Sequence, residues 1–305
     1  MNRLPALLVA LALLLVGCAD ARSGTLGPAP RAAAPSTATP PAPTSTAPPV
    51  TPAASTPGAA VTIPPGTPVT PPRTGTPGPA GTGSVTVQLW FTRAGAVVPT
   101  RRTRPATVAT SRLALTELAV GPTRAEAAVG LATLVPGGVE MVRIADGTAT
   151  VSPPPGFADT DARTLRLRRA QVVWTLTQFP TVRRVAFAGA DVVLARTDLA
   201  DLLPRIVVTE PAIGQRVAGP VTVAGTADVY EATVSIRVLD GGGRVIGTGF
   251  TTATCGSGCR GDYRVGVAYR LATAGPGTVE VYEVSPRDGS RTHVVAVPVA
   301  LAATS

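Results

Sequence analysis

The chain has 305 residues, with 32 Gly and 32 Pro but only 4% aromatic and 15% charged residues. That length allows two ordinary domains, and that composition does not fit one evenly built globular body, so the chain has to be divided. All 27 basic residues are arginine, and the net charge of +9 calls for acidic neighbours of some kind.

Asn2-Arg3 opens a short positive region, and an apolar run from Leu4 to Val16 follows, broken by Pro5. A transmembrane helix needs about 20 apolar residues, so this run has the length of a signal-peptide core. It ends in Leu15-Val16-Gly17-Cys18, which resembles the bacterial lipobox. Residues 1–17 are therefore expected to be a lipoprotein signal peptide. Cys18 is expected to take a diacylglyceryl group, which anchors the chain to the outer face of the cell membrane. An exported chain meets little nucleic acid. Its expected acidic neighbours are anionic lipid headgroups, cell-wall polymers and envelope proteins, and no nucleic-acid partner is expected.

Residues 18–83 are Pro, Thr, Ala, Ser and Gly with almost no large apolar side chain. Such a segment cannot bury enough surface to offset its ordering entropy, and it is expected to be a disordered tether. Fully extended at about 3.1 Å per residue it would reach roughly 200 Å, enough for a spacer through a cell wall. Its Thr/Pro content suits O-glycosylation as well as a bare linker.

Order begins at Ser84, where Val85, Val87, Leu89 and Phe91 alternate with polar positions as in a strand. Arg101, Arg102 and Arg104 then read as a loop ended by Pro105. Val108, Arg112, Leu115, Leu118 and Ala119 recur at helical spacing up to Gly121-Pro122. Val139–Ile144 and Thr148–Val151 flank Asp146-Gly147, a type I′ hairpin signal. Asp159-Thr160-Asp161 starts a helix with Leu165, Val172, Leu176 and Phe179 on one face, and Val182–Ala188 is a strand. The order is β-α-β-β-α-β over residues 84–203. It predicts a two-layer α+β domain with helices on one sheet face.

From residue 204 to 305 no helical period appears. Seven strands are predicted: Ile206–Thr209, Val221–Ala227, Ala232–Leu239, Arg244–Ala253, Asp262–Arg270, Thr278–Val284 and Thr292–Leu301. Asp240-Gly241-Gly242-Gly243 and Asp288-Gly289 supply turns. This pattern predicts an all-β immunoglobulin-like sandwich.

Several stretches of residues 84–203 together resemble the GerMN domain of sporulation and germination. They are Leu89-Trp90-Phe91, Leu118-Ala119-Val120-Gly121-Pro122, Gly130-Leu131 to Pro136-Gly137, and Gln171 to Thr177 followed by Phe179-Pro180. Pro211 to Gly214, Val221 to Ala227, Tyr230 to Val234 and Ser285 to Gly289 resemble the immunoglobulin-like domain of bacterial spore germination. The resemblance implies non-enzymatic interaction domains of an envelope complex, and the second domain often follows the first.

Candidate chemistry is sparse. Cys255 and Cys259 form C-x3-C, which in an exported chain is read as a disulfide. A zinc site needs four ligands, and the one histidine, His293, is far away in sequence. A redox pair would lack a thioredoxin-like context. His293 with Ser290 or Asp288 suggests a triad, but no nucleophile elbow accompanies them, and a strand-surface histidine is the plainer reading. Asp159 and Asp161 read as helix N-terminal residues. Glu231 reads as a residue that holds a loop. No catalytic residue, metal ligand or cofactor is assigned. Arg163, Arg166 and Arg168, with Arg169, Arg183 and Arg184, form a basic ridge off the apolar helix face, read either as a solvated face or as a partner-docking surface. The alternative function is an accessory to an enzyme acting on peptidoglycan or glycans, with a carbohydrate-binding sandwich.

Overall fold

The computed structural model describes residues 83–304; the expected signal segment, Cys18 and the tether lie outside them. Strand β1 (Ser84–Arg93) turns at Ala94-Gly95 into β2 (Ala96–Pro105), and the two form an antiparallel hairpin. Both turn residues have positive φ, 50° and 78°, as a two-residue turn between right-twisted strands requires. The arginine stretch expected to be a loop is therefore a strand. Its polar positions Thr100 and Arg102 face inward, which hid the alternation.

Helix α1 (Thr110–Val120) buries Ala114, Leu115 and Leu118 and ends at Gly121, whose φ of 93° suits glycine. Val108, expected on its apolar face, precedes the helix and is fully exposed. A short helix, α2 (Arg124–Ala128), begins with a capping box between Thr123 and Glu126. Strands β3 (Glu140–Ala145) and β4 (Thr148–Ser152) form the expected hairpin, with Asp146 and Gly147 both at positive φ. Helix α3 (Ala162–Leu176) is capped by Asp161, whose Oδ1 accepts the Thr164 N–H at 2.9 Å. Strands β5 (Arg184–Phe187) and β6 (Val192–Ala195) complete a four-stranded sheet in the order β3-β4-β5-β6.

The α+β class holds, with two strands, β2 and β6, added to the expected order. The strands hydrogen-bond as two sheets. Helices α1 and α3 pack on β1 and on each other, and α3 also reaches β2 and β5. Enclosure from several sides explains why every residue of α3 from Ala170 to Leu176 is buried, where a surface helix would bury a single stripe. Among the described residues no helix is long and apolar enough to cross a membrane.

A 3-10 helix at Arg196–Leu202 leads into the sandwich. Its strands are β7 (Ile206–Glu210), β8 (Arg216–Val217), β9 (Val221–Ala227), β10 (Thr233–Asp240), β11 (Val245–Thr252), β12 (Gly261–Val267), β13 (Gly275–Val284) and β14 (Arg291–Leu301). The sheet β11-β10-β13-β14-β8 lies opposite β12-β9-β7. All seven expected strands are present, and β8 is a two-residue addition parallel to β14. Alternate residues fill the core between the sheets, among them Val223, Val234, Ile236, Val238, Val279 and Val281.

Strand β7 joins the two domains. Ile206 and Val208 point into the sandwich core, while Val207 between them packs into the core of the α+β domain. Period-two alternation thus gives one strand to two cores. Glu210 at its end accepts from Arg101 of β2 at 2.6 Å and pairs with Arg264 of β12 at 2.9 Å.

Candidate interaction surface

The arginines of α3 do not form one ridge. Arg163 is exposed near the start of the helix and lies against Gly95 in the β1–β2 turn. Arg166 makes a two-pronged pair with Asp201, at 2.6 and 2.7 Å, on the surface. The hydrogen bonds from Arg166 hold the Asp201 carboxyl below its ordinary value. Arg168 turns inward and is half-buried. Its Nε donates to the Leu134 carbonyl at 2.8 Å, its Nη1 to the Phe157 carbonyl, and its guanidinium lies 5.3 Å from the Phe157 ring centre. The expectation that Arg168 lies off the apolar face is corrected: it is three residues after Leu165 and four before Val172, so helical spacing puts it on that face. Arg169 likewise covers the Phe187 ring at 5.8 Å.

The arginines read as a loop are engaged in ion pairs, and one of them lies in the interior. Arg102, only 7% exposed, donates to Glu126 at 2.6 Å, Glu117 at 3.1 Å and the Gly121 carbonyl at 2.8 Å. Arg104 grips both oxygens of Glu117 at 2.7 Å. The Glu117 carboxyl is held below its ordinary value, first by the hydrogen bonds from Arg104 and then by Arg102. For Glu126, burial pushes upward, but the Thr123 N–H, Arg102 and Thr100 outweigh it and the net direction is down. Both carboxylates stay ionised as supports for β2, α1 and α2.

In the sandwich, Cys255 and Cys259 are bonded, with Cα atoms 5.7 Å apart. Their loop is clipped to the segment before β10. The Ser257 N–H donates to the Val229 carbonyl at 2.9 Å, the Glu231 N–H to Ser257 Oγ at 3.0 Å, and the Gly258 N–H to Asp228 at 2.9 Å. Glu231 sits at φ 50° and takes part through its backbone. Asp228 is the carboxylate that holds this loop, and Glu283 holds the adjoining segment by accepting the Tyr230 N–H at 2.8 Å. His293 lies 3.6 Å from Glu283, whereas Asp288 accepts from Ser290 within its own turn, so these residues do not form a triad.

A cleft of about 400 Å³ opens between the two domains, and sequence reasoning missed it. Trp90 of β1 and Trp174 of α3 stack there with ring centres 4.7 Å apart, and Arg196 lies 4.7 Å over Trp174. Arg260, which follows the disulfide, reaches in from the sandwich and donates to the Pro204 carbonyl at 2.7 Å. Both indole N–H groups are buried without an acceptor among the described residues. The signal available in the sequence was that the chain has only 2 Trp, both in the α+β domain.

Residues 88–189 match the family described as sporulation and spore germination. Residues 205–290 match the immunoglobulin-like domain of bacterial spore germination. The chain carries both germination-type domains in tandem. Among solved structures it is similar to the tandem GerMN domains of the sporulation protein GerM from Bacillus subtilis. The identity is 16% and the TM-score 0.33, over 73% of this chain and 62% of that one, so this chain spans less than two thirds of that structure. It is also similar to the first GerMN domain of that protein, at 23% identity and TM-score 0.30, over 35% of this chain and 86% of that one. CopC from Methylosinus trichosporium OB3b matches at 15% identity and TM-score 0.21, over 33% of this chain and 96% of that one. No curated protein matches the chain.

Proposed function

We propose that the chain is a lipid-anchored, non-enzymatic interaction module of a bacterial cell envelope. The observation that carries this reading is the engagement of its carboxylates in structural ion pairs. Glu117 and Glu126 are neutralised inside the α+β domain, Glu210 ties the two domains together, and Glu280 is paired with Arg237. Carboxylates held this way brace surfaces and are poorly placed to move protons. Apolar side chains are exposed on β3, a sheet edge, where Val142 and Ile144 are 56% and 38% exposed. Sheet edges with exposed apolar residues suit protein contacts.

In this reading Cys18 carries the lipid, residues 18–83 span the wall, and residues 84–203 hold the main partner-binding surface. That surface includes Arg163 and Arg166; the sandwich orients it. The partners are envelope proteins, with anionic wall polymers as a second acidic neighbour. Crosslinking in cells tests the idea: the wild-type chain should capture a reproducible envelope protein, and Arg163→Glu with Arg166→Glu should weaken the capture. Lytic or amidase activity of the purified chain on peptidoglycan would overturn the non-enzymatic reading.

A further inference from the structure

We infer that the cleft between the two domains is a binding site for a small anion, a carboxylate or phosphate group on a body the size of one sugar ring. Two arginines line it, and neither has a carboxylate within ion-pair distance among the described residues. Arg196 donates to Thr177 Oγ1 at 2.7 Å, and Arg260 to the Pro204 carbonyl at 2.7 Å and Thr226 Oγ1 at 3.3 Å. Their guanidinium groups are thus fixed in place by neutral acceptors. Elsewhere in the molecule the half-buried Arg101, Arg104 and Arg237 each meet a carboxylate, while Arg168 spends its donors on two backbone carbonyls. A partly buried cation is stabilised by a counter-charge, and here the nearest carboxylates, Asp228 and Asp262, lie beyond ion-pair distance of either guanidinium. Burial also works against the charge of both arginines, most directly at Arg196.

Positive charge exceeds negative charge in the same cleft. The indole N–H groups of Trp90 and Trp174 are buried and do not reach the opening, so the donors that face it are the two guanidinium groups. Gln88 also lines the cleft, and the one carboxylate there, Asp262, is exposed. Fixed guanidinium forks select planar or tetrahedral oxyanions. A volume of about 400 Å³ is at the lower end for small-ligand sites, which also favour domain interfaces. The two arginines come from different domains, so the site is complete only while the domains stay joined.

The site goes beyond the interaction-module reading and does not depend on it, because binding is read on the purified chain and partner capture is read in cells. Both tryptophans of the chain stand in the cleft, so their fluorescence reports occupancy directly. Three probes of one size separate the chemistries: N-acetylmuramic acid for carboxylate, N-acetylglucosamine 6-phosphate for phosphate, and neutral N-acetylglucosamine. At least one acid should change the fluorescence saturably, and the neutral sugar should not; which acid binds identifies the headgroup. Arg260→Gln should weaken binding about tenfold or more, and Arg260→Lys should weaken it less. Gln88→Leu is a second variant that leaves both arginines in place and should also weaken binding. If neither acid binds up to about 10 mM, the proposal is overturned. Equal binding of the neutral sugar, or wild-type affinity in a natively melting Arg260→Gln variant, overturns it as well.

Discussion

At Arg102 a guanidinium sits almost wholly inside the protein between two carboxylates, and the geometry decides what each partner is worth. Removing one member of a buried pair leaves a charge without compensation, at a cost of about 3–5 kcal/mol. Arg102→Met should therefore lower the unfolding free energy by about that amount, measured by urea denaturation at pH 7. The sign of the pH dependence follows from Glu117 and Glu126, both held below their ordinary values. Their contribution is fully present above the unfolded-state value of about 4.3, and it is lost as pH falls through the lower folded-state values. The gap between Arg102→Met and wild type should accordingly narrow below about pH 4, and a constant gap would contradict the assignment. Arg168 and Arg163 make a second contrast on one helix. Arg168→Ala should cost about 1–3 kcal/mol, because the Leu134 and Phe157 carbonyls lose a charged donor. Arg163→Glu should change stability little, since that side chain is exposed.

Among the elements, those whose signal is local were legible in the sequence. Asp146-Gly147 announced the β3–β4 hairpin because a type I′ turn needs two residues that tolerate positive φ. The alternation of Val234, Ile236 and Val238 announced β10 because one face meets the opposite sheet. Strand β2 was not legible: its inward positions include Thr100 and Arg102, whose partners lie on α1 and α2, so only the tertiary network makes polar residues fit a core. The four-residue β6 has too little pattern to stand out from the 3-10 helix after it. The interdomain cleft was illegible for the same reason as β2, since Trp90, Trp174, Arg196 and Arg260 come from four separate segments. The C-x3-C loop belongs between these extremes: its spacing suggested pairing, while its clip to residues 228–231 needed coordinates. Closing so short a loop stabilises the fold by about 2 kcal/mol in the chain-entropy view. Cys255→Ser with Cys259→Ser should show a loss of that order in thermal melts. Thiol titration of non-reduced, exported protein should find neither cysteine reactive, and two reactive thiols would contradict the pairing.

For the whole molecule the joint at β7 matters most, because it decides whether two domains behave as one body. Val207 is buried in the α+β core while its neighbours Ile206 and Val208 are buried in the sandwich, so neither core is complete without the strand they share. Glu210 reinforces this by reaching one arginine on each side, Arg101 and Arg264. Burial alone would push its carboxyl up, yet Arg101 and then Arg264 bring it below its ordinary value, so the link is ionised at neutral pH. The described unit should therefore unfold in a single calorimetric transition. Glu210→Ala should remove about 1–2 kcal/mol, because both arginines are partly exposed and solvent screens them. The sharper expectation concerns cooperativity: with Glu210 replaced, and further with Val207→Ala, the transition should broaden or split as the domains uncouple. The same variants should lose the change in tryptophan fluorescence with anionic probes, since Arg196 and Arg260 would no longer be held across one cleft. A wild-type chain that already melts in two steps would show that the domains are linked by the chain but not by the joint.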